Sequence, residues 1–209
     1  MTQVRYIILK NKRRIVIALS SVFILLLYFS RNLSIIVPFI ITIVALILFG
    51  YIDKAFSLRF PERYYIFTFL IFIMGTVIGG TVPFGLYYRI PIYDKIIHFT
   101  SPILISAIVF FILNRLNITL KWKLLMTVGL VFGMLGLFEI GEYLSDVLFG
   151  TLHQGVYLFD FAEKVKYEVV VTPIHDTMQD LILGLFGSLV FVVFESIEVW
   201  HKKRSLKSS

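Results

Sequence analysis

The sequence contains no cysteine. The chain can therefore form no disulfide bond, no thiolate metal site and no cysteine nucleophile. Its loops must be held by packing alone. The absence of cysteine does not identify a cellular compartment.

Charged residues are also scarce, at 16% of the 209 residues, whereas 58% are hydrophobic. A soluble domain of this size could not cover so much apolar surface, so the bilayer is the expected solvent. A membrane-spanning helix needs about 20 apolar residues, so crossing the membrane uses most of the chain and leaves no room for a separate soluble domain. The formal charge of +7 is distributed in a way that indicates membrane topology. We therefore expect membrane lipids, and not nucleic acid, as partners.

Six apolar runs of near-spanning length predict an all-α polytopic membrane protein with about six transmembrane helices in one bundle. The first run follows a basic segment but lacks a small-residue cleavage site, so we interpret it as a retained span. Pairs of glycines at helical spacing in three later spans, Gly75 with Gly79, Gly129 with Gly133 and Gly184 with Gly187, indicate close helix packing. The runs are Ile15 to Ser30, Ser34 to Tyr51, Tyr64 to Val82, Ile96 to Leu113, Trp122 to Tyr143 and Asp176 to Trp200.

The distribution of lysine and arginine predicts the orientation of these spans. Fifteen of the 20 basic residues lie in the two termini and the second and fourth loops, and five lie in the alternate loops. Because basic loops remain cytoplasmic, both termini are predicted to be cytoplasmic in a multi-pass protein of the inner or plasma membrane. The connection of residues 144–175 then faces outward. It is too apolar for a flexible linker, so we expect it to lie over the helix ends as a lid or interfacial segment.

Ionisable side chains of the last three predicted spans fall at one depth. His98, Glu139 and Asp180 each lie about 6 Å below the predicted outer boundary, at about 1.5 Å per helical residue. Helical spacing places their acidic neighbours on the same three faces. Because an intramembrane charge costs about 2.5–3.5 kcal/mol, these faces are expected to point toward one another and not toward lipid. The candidate site residues are Asp94, His98, Glu139, Glu142, Asp176 and Asp180, with Asp146 further along the same face as Glu142.

A structural interpretation of individual residues stays open. Asp94 and Asp176 occur where helix N-caps are expected, and Glu142 and Asp146 are near enough to the boundary to reach headgroup water. His98, Glu139 and Asp180 are harder to explain in this way. So many carboxylates cannot all stay ionised in a partly dry site, so either some share protons or a divalent metal ion neutralises them. Oxygen ligands with one or two imidazoles, those of His98 and of His175, suit Mn, Fe, Zn or Mg without distinguishing among them.

Three ordered segments, Tyr93 to Phe99, Phe138 to Tyr143 and His175 to Asp180, resemble the Y-D-[KR]-x-x-H-F, [FY]-E-x-x-E-[WY] and D-T-x-x-D motifs of the uncharacterised YjdF-like family of inner-membrane proteins. The first and last also resemble, more distantly, motifs of VanZ-like membrane proteins. The resemblance implies a bundled inner-membrane protein and names no reaction. The family places a G-T-x-x-G segment just before the last motif, whereas here Gly150 to Gly155 precedes Asp176 by about twenty residues.

On this basis we predict three segments. Residues 1–63 form a basic N-terminal segment with the first two spans, residues 64–200 form a YjdF-like membrane domain with four spans and the outer loop 144–175, and residues 201–209 form a basic cytoplasmic tail.

The leading functional hypothesis is a membrane-embedded metal-dependent hydrolase or transferase that acts on lipid or envelope substrates through an outward-facing site. His98 or Glu139 would be the general base, and Asp94, Glu142, Asp176 and Asp180 would be ligands or orienting groups; as a metal site, all six residues would take part. Intramembrane carboxylates also occur in cation- or proton-coupled transporters. A third hypothesis is a non-enzymatic membrane scaffold that holds a structural ion.

Overall fold

The computed structural model describes residues 33–80, 85–159 and 167–208, and most of these are helical. The described residues fall into two compact units, one that ends at Leu86 and one that begins at Tyr87. The first predicted span, Ile15 to Ser30, lies outside the described residues. The predicted boundary between residues 63 and 64 stays a prediction.

The first unit contains helix α1 (Leu33–Ala55) and helix α2 (Glu62–Phe72), which continues as a π-helical segment, Ile73–Ile78. The sequence predicts a regular span here, so the π-helical segment is a departure from that prediction. Thr76 lies within the segment. Its hydroxyl donates to the carbonyl of Phe72 at 2.6 Å and lies 3.3 Å from the hydroxyl of Thr42 on α1. The Thr76 hydroxyl therefore links the π-helical segment to α1.

The turn between α1 and α2 is organised by the buried carboxylate of Asp53. One oxygen accepts the backbone N–H of Phe60 at 3.0 Å and the other accepts the hydroxyl of Tyr65 at 2.6 Å. The ring of Phe49 packs against the rings of Phe60 and Tyr65. Asp53 is thus a hydrogen-bonded structural group of the first unit.

The second unit contains helix α3 (Tyr93–Leu113), helix α4 (Leu120–Phe149) and helix α5 (Pro173–Ser208). Helices α4 and α5 both extend beyond the predicted spans. α4 ends where Gly150 adopts the left-handed conformation, φ 65°, and donates its N–H to the carbonyl of Asp146. A glycine suits this helix end because it has no Cβ to clash.

Two glycines of α5 lie close to the neighbouring helices, Gly187 to α3 and Gly184 to α4. A Cβ on Gly187 would collide with the backbone carbonyl of Phe99, and one on Gly184 would collide with the side chain of Leu135 on α4. The small residues therefore let α3, α4 and α5 pack tightly, as their spacing predicts. The Cβ positions of Gly129 and Gly133 have no neighbour within 4 Å in the described part of the chain, so the close contact predicted for that pair is not found there.

Between α4 and α5 the chain forms an antiparallel β-hairpin of strands β1 (Val156–Phe159) and β2 (Tyr167–Val171). The sequence analysis predicts no strand in this connection. The pairing of Val156 with Val171 brings residue 155 back beside the start of α5. The hairpin thus brings Gly155 next to Asp176 at the start of α5, although about twenty residues separate them in sequence.

Four described helices are long and apolar enough to cross a membrane, namely Pro38–Ala55, Tyr93–Leu113, Leu120–Phe149 and Pro173–Lys202. Many of their exposed side chains are large and apolar, including Leu137, Ile140 and Ile182. Such surfaces suit contact with lipid. Six spans and cytoplasmic termini stay predictions, since the four helices fix neither.

Candidate functional site

The first turns of α3 carry three ionisable side chains, Asp94, Lys95 and His98. Asp94 lies in the first turn of the helix and makes no capping bond, because the N-cap residue is Ile92. His98 lies one turn further, with its Nε2 atom 3.5 Å from Asp94 Oδ1. The carboxylate therefore lies beside one nitrogen of the imidazole and favours a proton at Nε2.

The other imidazole nitrogen faces carboxylates of two different helices. His98 Nδ1 lies 3.7 Å from Glu139 Oε1 on α4 and 3.9 Å from Asp180 Oδ1 on α5. All three side chains are buried, with exposed fractions of 7% for His98, 5% for Glu139 and 1% for Asp180. The three residues that the sequence places at one depth thus form a buried cluster in the second unit, with one residue from each of three helices.

Two atoms of this cluster have no hydrogen-bond partner among the described residues, and they face each other. They are His98 Nδ1 and Glu139 Oε1. A buried polar atom without a partner costs about 1–3 kcal/mol, so native structures rarely retain one without a water, ion or ligand to satisfy it. The 3.7 Å between these atoms is too long for a direct hydrogen bond and leaves room for such a group.

The distances suit a small cation. Bonds of about 2.0–2.2 Å from an ion to nitrogen and oxygen allow two ligand atoms to lie up to about 4.2 Å apart. Both distances from His98 Nδ1, 3.7 and 3.9 Å, fall within this limit. One ligand atom from each of Asp94, His98 and Asp180 also lies within 4.8 Å of the others. Asp94, however, is nearest to Nε2, so the unsatisfied Nδ1 side with Glu139 and Asp180 is the better place for an ion.

Lys95 lies at the centre of the acidic groups. From the sequence, Lys95 is predicted to be a charged loop residue before the apolar run that starts at Ile96. Its ammonium donates to Asp94 at 3.0 Å, to both oxygens of Asp180 at 2.7 and 2.9 Å, and to Asp176. The side chain is 14% exposed. The Lys95 ammonium therefore neutralises part of the acidic cluster. Neutralisation by a lysine is a third possibility beside shared protons and a metal ion, and the sequence pattern does not predict it.

Asp176 connects this ion-pair network to the segment before the hairpin. One oxygen accepts from Lys95 and the other accepts the backbone N–H of Gly155 at 2.7 Å. Nearby, Gln154 donates from its side-chain amide to the hydroxyl of Thr177 at 3.0 Å. Both oxygens of Asp176 thus have protein partners, which favours an orienting role for this residue.

Asp146 organises the same segment from the end of α4. Its carboxylate accepts the hydroxyl of Thr151 at 2.6 Å and the backbone N–H groups of His153 and Gln154, both at 2.8 Å. The side chain of Asp146 is therefore committed to shaping this turn. The turn brings Gln154 and Gly155 to the first turn of α5 despite their distance in sequence.

Glu142 and Tyr87 complete the surroundings. Glu142 is half-buried on α4 and interacts electrostatically with Glu139 and Asp180. Burial raises the pKa of Tyr87 well above its usual value, and the negative charge of Asp94 raises this pKa further. The Tyr87 phenol therefore stays protonated next to the acidic cluster. No sequence motif distinguishes this tyrosine from the other ten.

The structure therefore brings His98, Glu139, Asp180, Asp94 and Asp176 together, with Glu142 at the margin. The predicted catalytic roles of His98 and Glu139 and the predicted ligand roles of all six residues stay predictions. A buried group of aspartate and histidine that could hold a metal ion is nevertheless present. Lys95, Tyr87 and the hairpin are the features that sequence reasoning misses.

Comparison with known proteins agrees with the membrane assignment. Neither a curated protein nor a solved structure is detectably similar to the chain. A family model described as "Predicted membrane protein (DUF2238)" matches residues 12–202. This match spans both the apolar helices and the buried cluster. The chain therefore belongs to this family of membrane proteins.

Proposed function

We propose that this protein binds a divalent cation between His98, Glu139 and Asp180, and that it uses the ion as a membrane-embedded hydrolase or transferase. The observation that carries the proposal is the pair of buried, unsatisfied atoms in the described cluster, His98 Nδ1 and Glu139 Oε1, with Asp180 Oδ1 beside them. Two carboxylates and one imidazole form a donor set suited to Mn, Fe or Zn.

The surrounding residues support this arrangement. Asp94 lies 3.5 Å from His98 Nε2, and a carboxylate in that position orients a ligating imidazole and raises its basicity. A bound divalent ion would act as a Lewis acid and lower the pKa of water. In such a site Glu139 would serve as a ligand, and Glu142, which is half-buried one helical turn away, would be the general base.

Lipid or envelope material is the substrate class that we propose, with the site open to the outer side of the membrane. The 15 to 5 distribution of basic residues supports cytoplasmic termini and hence an outward-facing hairpin. Location in the inner or plasma membrane and kinship with YjdF-like proteins belong to the same proposal. The exposed apolar surface of α4 and α5 suits contact with the lipids that would supply such substrates.

The test is the thermal stability of the purified, detergent-solubilised protein with a chelator or with added Mn²⁺ or Zn²⁺. The variants are His98→Ala, Glu139→Gln and Asp180→Asn, and the matched control is Asp146→Asn, whose carboxylate serves the turn. A ligand at one hundred times its dissociation constant stabilises the native state by about 2.7 kcal/mol. Metal should raise the melting temperature of the wild type and the control but not of the three site variants.

Turnover is then measured by mass spectrometry on extracted membrane lipids and envelope precursors, with and without metal. A wild-type melting temperature indifferent to chelator and to both metals would contradict the proposed ion site. Metal binding without turnover of any of these substrates would favour the scaffold hypothesis over the enzyme.

A coupled transporter is the second candidate, and one residue favours it. Ser106 is fully buried on α3, and its hydroxyl has no hydrogen-bond partner within the part of the chain that the structure describes. It lies two turns from His98, about 12 Å along the helix axis. A polar atom at this depth could continue a path from the cluster toward the opposite side. Proton or Mn²⁺ flux into proteoliposomes, lost in Ser106→Ala, would favour transport.

A further inference from the structure

Lys95 and the proposed ion site share one atom, Asp180 Oδ1. This oxygen accepts from the Lys95 ammonium at 2.7 Å and lies 3.9 Å from His98 Nδ1. The second Asp180 oxygen also accepts from Lys95, at 2.9 Å. The carboxylate that would bind the ion is thus already engaged by a cation of the protein itself.

A divalent ion at this position would approach the ammonium closely. Two positive centres separated by a few ångströms in a partly dry site repel strongly, and one carboxylate oxygen cannot fully satisfy both. Lys95 must therefore either weaken the binding of the ion or move away from Asp180 when the ion binds.

The surroundings of Lys95 provide a place to which it can move. Its ammonium already contacts Asp94 and Asp176 in addition to Asp180. Asp176 is held in place by the N–H of Gly155 at 2.7 Å. A lysine ammonium is a compact charge on a flexible stem, so it can release Asp180 and keep its two other acceptors with a small displacement.

We propose that Lys95 is a built-in competitor that occupies Asp180 until a divalent cation displaces it onto Asp94 and Asp176. The proposal rests on the ion site described under the proposed function and adds an exchange step to it. Lys95 is a positioning residue here. It sets the affinity of the site for the ion, and it neutralises Asp180 when no ion is bound.

Removing Lys95 alone would leave three carboxylates without their counter-charge, so the single variant Lys95→Met is expected to unfold. The double variant Lys95→Met/Asp176→Asn removes one positive and one negative charge and keeps the net charge of the cluster unchanged. It also frees both oxygens of Asp180. Any gain in ion affinity in this variant then reflects released competition and not a more negative site.

The experiment is a calorimetric titration of the purified, metal-free protein with Mn²⁺, for the wild type and three variants. Lys95→Met/Asp176→Asn should bind Mn²⁺ at least tenfold more tightly than the wild type, a change of about 1.4 kcal/mol or more. Lys95→Arg keeps the competing charge and should not bind more tightly. Asp176→Asn removes one alternative acceptor and should bind more weakly.

Each outcome has a defined meaning. A double variant that melts cooperatively but binds Mn²⁺ no more tightly than the wild type overturns the competition. The double variant alone could bind Mn²⁺ and lose this binding when Asp180→Asn is added to it. That result supports the competition but contradicts an ion site in the native protein. Absence of binding in every protein overturns both proposals, whereas tight wild-type binding that the double variant leaves unchanged overturns only the exchange step.

Discussion

Replacing Gly187 by alanine tests the helix packing on which the cluster depends. A Cβ at this position would collide with the carbonyl of Phe99, the residue after His98, and would also lie 3.4 Å from Pro102. A backbone carbonyl within a helix cannot rotate away, so α3 and α5 must separate. Overpacking of this kind costs typically about 1–3 kcal/mol.

The matched control is Gly133→Ala on α4, where a Cβ would meet nothing within 4 Å. Alanine favours a helix over glycine by up to about 1 kcal/mol, so the control should be neutral or slightly stabilising. Gly184→Ala should fall between the two, because the obstructing atoms belong to the flexible side chain of Leu135. The assay is reversible unfolding in mixed micelles, monitored by circular dichroism. Equal stability of Gly187→Ala and Gly133→Ala would refute the packing.

Three further predictions concern the turn before the hairpin, the first unit and the topology. Gly155→Ala should destabilise the hairpin by about 1–2 kcal/mol, because Gly155 has φ 95° and a Cβ would lie 3.0 Å from the Tyr157 ring. Gly150→Ala should cost less, because Gly150 has φ 65° but open space around it. Hydrogen exchange of the β1 and β2 amides compares the two variants. Asp53→Asn should lower the thermal stability of the first unit by about 1–3 kcal/mol, since the N–H of Phe60 and the hydroxyl of Tyr65 lose a charged acceptor, and unchanged melting would contradict this. Because the chain has no cysteine, single cysteines at the exposed positions His153 and Lys202 report sidedness by labelling with an impermeant maleimide. The His153→Cys variant should react from outside and the Lys202→Cys variant only after permeabilisation. Labelling of Lys202→Cys from outside would overturn the topology.

The amphiphilic pattern of the sequence predicts much of the fold and of the cluster. Apolar runs identify α1, α3, α4 and α5 because length and hydropathy decide whether a helix suits a bilayer. Helical spacing also predicts that His98, Glu139 and Asp180 converge, because several charges in one apolar layer must face inward. Helix boundaries are less well predicted, since interfacial residues suit both a helix and a loop.

Other features depend on contacts that no local pattern records. Lys95 carries a long flexible stem, so its position at the start of α3 fits a solvated loop charge as well as a buried ion pair. The hairpin depends on cross-strand pairing such as Val156 with Val171, and the sequence between its strands has no short turn signal. The π-helical segment Ile73–Ile78 is likewise not predicted by the apolar pattern. Long-range pairing thus decides what the sequence leaves open.

The most direct test of the central claim is a crystal structure of the protein grown with Mn²⁺ and measured at a wavelength where manganese scatters anomalously. We expect an anomalous peak about 2.0–2.3 Å from His98 Nδ1, bounded by Glu139 and Asp180, with the Lys95 ammonium moved toward Asp94 and Asp176. A cluster without anomalous density, in which a water at about 2.8 Å satisfies His98 Nδ1 and Glu139 Oε1, would contradict it.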